Sequence, residues 1–155
     1  MTRLTELVIS PLTPTERRVL EQLSLGHDLG VGSTNLTMGR ATFNKHLTQI
    51  GDKLQVKKSP LKVQMGFASG QLPLPKAVSG LVTFDDDERQ LWQAHALHAT
   101  AADIAKHAKI ERCDLRGDIA RLMTKAGASN EAHLIRLGHA YGVLTRSDVP
   151  SPRTA

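Results

Sequence analysis

Residues 12–20 read LTPTERRVL, and they decide the class of the fold. Thr13 is a good N-cap, Pro14 suits the first helical position, and Glu16 follows Thr13 at capping-box spacing. The helix they open carries Val19, Leu20 and Leu23 on one face and stops at Gly26. Outward from it, residues 27–37 hold Gly30 and Gly32. They make a poor helix, since each glycine costs roughly 1 kcal/mol against alanine. From Arg40 to Leu54 the pattern is strong. Phe43, Leu47, Ile50 and Leu54 recur at steps of four, three and four, which is a helical stripe. Ser59-Pro60 reads as another cap with a first-turn proline, opening a short helix through Leu61, Val63, Met65 and Phe67 that ends at Gly70.

Residues 71–80, QLPLPKAVSG, read as a linker. After them the same order returns. Thr83 is expected to cap a helix whose first turn holds Asp85, Asp86, Asp87 and Glu88, a placement the helix dipole favours. Thr100 with Asp103 caps a second, short helix containing Ile104 and Ala105. Leu115, Ile119, Leu122 and Ala126 repeat the four, three, four stripe, and Ser129 is expected to cap a fourth helix with Leu134, Ile135 and Leu137. Residues 145–155, TRSDVPSPRTA, read as a disordered tail. The chain thus reads as an internal duplication, offset about 71 residues before position 100 and 72 after it. The expected fold is all-α: two tandem four-helix units, 1–70 and 81–144, as separate small domains or one compact pair. Each unit alone buries modest area, so packing between units or between protomers is expected.

Composition narrows the function. Aromatics are only Phe43, Phe67, Phe84, Trp92 and Tyr141, which argues against a large β-sandwich or an aromatic-lined carbohydrate or single-strand platform. Cys113 is the one cysteine, so an internal disulfide and a Cys-rich zinc motif are excluded. Its thiol is expected to be buried or half-buried. No apolar run is long enough to cross a bilayer, and MTRLTELVISPLTP lacks an adequate signal h-region, so a soluble, cytoplasmic protein is expected. The net charge is +5. Residues 1–76 hold ten Lys and Arg against five acids, while residues 77–155 hold ten of each. The excess lies wholly in the first half, which is the half expected to meet a polyanion.

Residues 12–63 resemble the LuxR-type (GerE-like) helix-turn-helix domain. That family opens Leu-Thr-Pro-x-Glu-x-x-Val-Leu, matched without a gap by Leu12 to Leu20. Its recognition helix carries Thr-Val-Lys-x-His-[Val/Ile], here Thr42-Phe43-Asn44-Lys45-His46-Leu47, and closes Lys-Leu-x-Val, here Lys53-Leu54-Gln55-Val56. The family's Ile-Ala in the second helix is replaced by Gly32-Ser33, and its recognition-helix lysine by Asn44. The second unit is a divergent copy, matching through Asp103-Ile104-Ala105, Ile110 and Ala128-Ser129-Asn130. The resemblance implies transcription regulation through double-stranded DNA, with no cofactor.

The helix at about residues 40–54 is the expected major-groove reader. Asn44 can pair bidentately with adenine and Lys45 can donate to guanine. Thr42 near the helix start suits a phosphate, and Arg40 and Thr48 share the polar face. Lys53, Lys57 and Lys58 suit backbone contacts at the far end. His46 adjoins the apolar stripe and is expected to pack or cap. In the second unit Arg112, Arg116 and Arg121 interleave with Asp114 and Asp118. That helix is assigned a structural or dimerising role, with a second DNA contact as the alternative. The competing function is a protein-interaction module, an adaptor or antagonist built on a decayed helix-turn-helix. His95, His98, His107 and Cys113 have zinc-like spacing, but no metal is assigned, and no motif points to an enzyme.

Overall fold

The computed structural model describes residues 10–78, 80 and 82–150; the expected roles of residues 1–9 and 151–155 lie outside them. The fold is all-α, with eight helices among the described residues: α1 (Pro14–Ser24), α2 (Leu29–Asn35), α3 (Arg40–Leu54), α4 (Ser59–Ala68), α5 (Asp86–Leu97), α6 (Ala101–Ala108), α7 (Arg112–Ala126) and α8 (Glu131–Ala140). The four helices α5–α8 begin 72 residues after α1–α4, without exception. The expected offset of 71 before position 100 is therefore corrected to a uniform 72.

Local chemistry repeats with the offset. Thr13 and Glu16 form a reciprocal capping box at α1, and Asp85 and Glu88 form one at α5. Asp85, not Thr83, is thus the cap, since a carboxylate accepts the same first-turn N–H as a hydroxyl. The expected caps Ser59 and Ser129 are likewise displaced, by Lys58 and Asn130. Lys53 pairs with Glu16 at 2.6 Å, and Lys125 with Glu88 at 2.8 Å. Each pair ties the third helix of a set to the first turn of its first helix.

α4 is buried almost all round, through Leu61, Val63, Gln64, Met65, Gly66, Phe67 and Ala68. An element with so little polar surface belongs at the centre. It packs on α8, while α1 also meets α8 and α4 also meets α5. The contacts between the sets are therefore reciprocal, as across a twofold interface. One apolar cluster runs through both, from Leu12 and Phe43 to Trp92 and Leu144. Polar contacts close the seam: Asn130 Nδ2 donates to Gly26 O, and Arg136 donates to Ser24 Oγ.

The segment read as a linker is mostly exposed but is anchored at two points, and the start of the segment read as a tail is held. Leu72 is buried and donates its N–H to Gly66 O, and Val78 N–H donates to Ala140 O. Residues 145–150 are not a disordered tail. Gln64 Nε2 donates to the carbonyls of Thr145 and Asp148, and Pro150 is buried. Among the described residues no helix is long and apolar enough to cross a membrane.

Candidate nucleic-acid interface

α3 buries Phe43, Ile50, Gly51 and Leu54. Because 3.6 residues make a turn, the intervening residues Arg40, Thr42, Asn44, Lys45 and Thr48 must face outward. All five are exposed. Just beyond α3, Lys57 and Lys58 are exposed as well. Among the described residues Arg40, Lys45, Lys57 and Lys58 form no ion pair.

The start of α3 suits an anion. Its cap, Gly39, supplies no side-chain acceptor, which leaves first-turn N–H groups open beside Thr42. Arg40 folds back toward α2: a Cβ on Gly30 would stand 2.5 Å from an Arg40 guanidinium nitrogen. α2 itself is a short helix despite its two glycines, capped by Asp28, which accepts from Val31 N–H at 2.8 Å. Gly32 is there because the Phe43 ring covers it, with a Cβ at that position only 2.7 Å from Phe43 Cζ. That contact fixes α3 against α2. Thr48 Oγ1 donates to Asn44 O, so its hydroxyl proton is already engaged within α3.

Lys53 does not join this face. Its ammonium is engaged by Glu16, which is 3% exposed. Burial pushes the Glu16 carboxyl up, but Lys53 and the Thr13 contacts outweigh it and hold the group below its ordinary range. Where a backbone contact is expected of Lys53, the structure shows its ammonium paired with Glu16. Pairing was hidden in the sequence because the partners lie 37 positions apart. The 72-residue recurrence of Glu16/Lys53 as Glu88/Lys125 is the signal that identifies it. His46 is half-buried beside the stripe, as its position suggested.

The equivalent helix α7 presents Arg112, Arg116 and Arg121 to solvent, with Asp114 exposed among them. Arg121 contacts Asp118 within the helix, so that guanidinium is partly neutralised. Cys113 is exposed, contrary to expectation: two positions from Leu115, it falls on the opposite side of α7. His98 Nε2 and His107 Nδ1 lie 2.9 Å apart, while His95 faces Glu131. Among the described residues no three His, Cys, Asp or Glu side chains are grouped to hold a metal.

No known protein family matches the chain, and neither the curated proteins nor the solved structures contain a significant match to it.

Proposed function

We propose that the chain is a cytoplasmic DNA-binding transcriptional regulator built from two tandem LuxR-type helix-turn-helix units, with α3 as the major-groove reader. The observation that carries the reading is the outward face of α3 and its flank. Arg40, Thr42, Asn44, Lys45, Thr48, Lys57 and Lys58 are all exposed, and the four cations lack ion-pair partners among the described residues. An α-helix fits the major groove, where Asn44 matches adenine and Lys45 matches guanine. Lys57 and Lys58 supply sequence-independent phosphate contacts. The rigid seat of α3, between Phe43 on Gly32 and Lys53 on Glu16, supports a fixed angle of entry. The alternative, an adaptor or antagonist acting on proteins, draws its support from α7, where Asp114 and Asp118 dilute the arginines. In this reading α7 stands away from DNA and its set of helices braces the first.

The test is selection of duplexes from a random pool by the purified chain, followed by a salt titration on the enriched sequence. Enrichment of one motif, with affinity falling steeply as salt rises, supports the reading. A pool that stays random, with no retention at low salt, overturns it.

A further inference from the structure

A cavity of about 550 Å³ lies where the start of α4 meets the α5–α6 turn, α6 and α7. Ligand pockets typically occupy about 300–1,000 Å³. Its apolar wall is Leu61, Ile104, Leu115, Ile119 and Met123, and Lys58, Arg112 and Arg116 stand around it.

The 72-residue relation gives a reason for this space in the second set of helices. Ile104 and Leu115 occupy the places of Gly32 and Phe43. In the first set the Phe43 ring lies directly on Gly32. In the second set a branched residue on α6 faces a leucine, and no ring closes the gap. The seam differs in the same sense. His133 lies against Gly26, where a Cβ would stand 3.0 Å from its own Cβ; their counterparts Leu61 and His98 line the cavity instead.

The charge around the cavity is one-sided. Among the described residues no ion pair engages Lys58, Arg112 or Arg116. Glu131 is the one carboxylate in the lining, and it is held 2.9 Å from Nε2 of His95. The close approach of His95 keeps the Glu131 carboxyl below its ordinary range; burial opposes this, and the charge of Lys58 adds to it. The cationic excess at the rim thus remains for an outside anion. Guanidinium groups bind carboxylates bidentately, and the wall behind them takes an apolar body.

We propose that this cavity binds a small organic carboxylate with an aromatic or branched apolar body, its head group on Arg112 and Arg116 and its body against Leu115 and Ile119. Neither Asn44 nor Lys45 lines the site, so it lies apart from the base-reading residues of α3, while Lys58 stands both at its rim and among the proposed phosphate contacts.

Calorimetric titration of the full chain with 1-naphthoate, 3-phenylpropionate and 4-methylvalerate tests this, with 1-naphthalenemethanol as the uncharged control. At least one acid is expected to bind one to one, more than about tenfold tighter than the alcohol, a difference of about 1.4 kcal/mol. Arg112→Ala with Arg116→Ala, at exposed positions, should weaken that acid at least as much. Ile104→Gly with Leu115→Phe, which rebuilds the first set's closed pair, should abolish binding of acid and alcohol alike while the helical circular dichroism is kept. Four results overturn the proposal: none of the acids binds below about 1 mM; the alcohol binds as well as the acid; the arginine variant binds unchanged; or the refilled variant, still folded, binds unchanged. The arginine and alcohol comparisons decide the matter even where the refilled variant fails to fold.

Discussion

Lys53 donates to Glu16 across 2.6 Å and so joins the last turn of α3 to the first turn of α1. The same glutamate closes the Thr13 capping box, accepting from Thr13 N–H at 2.9 Å. One buried carboxylate therefore orients two helices. Lys53→Met should leave it facing a partner that cannot donate, and the expected loss is about 1–3 kcal/mol in urea unfolding. The pair should also strengthen with pH. The folded Glu16 titrates below its unfolded value of 4.5, so its contribution is present above that pH and fades as pH falls through the folded value. Unchanged stability in Lys53→Met would return Lys53 to the list of DNA contacts.

Lys57 and Lys58 make the opposite prediction. Both are exposed and outside any ion pair among the described residues. Replacing both by alanine should shift stability by no more than about 0.5 kcal/mol. It should weaken binding to every duplex and flatten the dependence of affinity on salt. Fluorescence anisotropy at several salt concentrations checks this, and an unaltered slope would place the DNA face elsewhere.

Asn44 and Lys45 should separate specific from general affinity. Either alanine variant is expected to cost about 1–3 kcal/mol on an enriched site and much less on random duplex. Equal losses on both DNAs would make the two residues backbone contacts.

What the sequence made legible follows from the range of the interactions involved. α1, α3 and α7 were readable because caps and the four, three, four stripe act within a few residues. α2 was doubtful from its glycines, and only the Phe43 ring lying over Gly32 explains why a helix there needs one. Thr83 shares the chemical type of Thr13, but Asp85, 72 positions after Thr13, is the residue that caps, with a carboxylate in place of a hydroxyl. Residues 145–150 look polar and unpatterned, yet their carbonyls are held by Gln64, more than eighty positions earlier. The polar face of α3 was legible as a set of positions, but the loss of Lys53 from it was not, since that depends on a distant carboxylate.

Gly66 and Gly138 test the duplication directly. A Cβ at Gly66 would meet Leu20 Cδ2 at 2.7 Å and Leu72 Cδ1 at 3.0 Å. A Cβ at Gly138 would meet the counterparts of both, Leu144 Cδ1 at 2.5 Å and Trp92 Nε1 at 2.8 Å. Gly66→Ala and Gly138→Ala should each destabilise by about 1–3 kcal/mol through overpacking. Gly117→Ala is the contrast. It lies inside α7 with only an Arg121 nitrogen at 3.5 Å, and it should stabilise by about 0.5–1 kcal/mol. Thermal melts of the three variants check the pattern, and a neutral Gly138→Ala would mean that the α8 seat is loose.

His139 sets the response of the seam to acid. Gln64 Nε2 already donates to two carbonyls, so Gln64 Oε1 must accept, and His139 Nε2 is the donor across 2.7 Å. The His139 ring lies 4.4 Å from that of Phe67. Burial drives the imidazole down to about 4, with Asp148 opposing the shift and Arg146 adding to it. The folded protein thus holds His139 neutral where the unfolded chain, titrating near 6.5, takes up a proton. Stability is full above about pH 6.5 and is lost as pH falls toward 4, after which this group adds no further slope. The loss is on the order of 1–3 kcal/mol once solvent screening of a half-buried ring is allowed for. His98 and His133 are lowered as well, both chiefly by burial, and act in the same direction. His139→Phe, which places the Phe67 counterpart at this position, should lower stability at neutral pH by removing the Gln64 contact. It should also flatten the acid limb between pH 6.5 and 4. Urea unfolding at half-unit pH steps gives both curves. Parallel limbs for the two proteins would show that the acid response arises elsewhere.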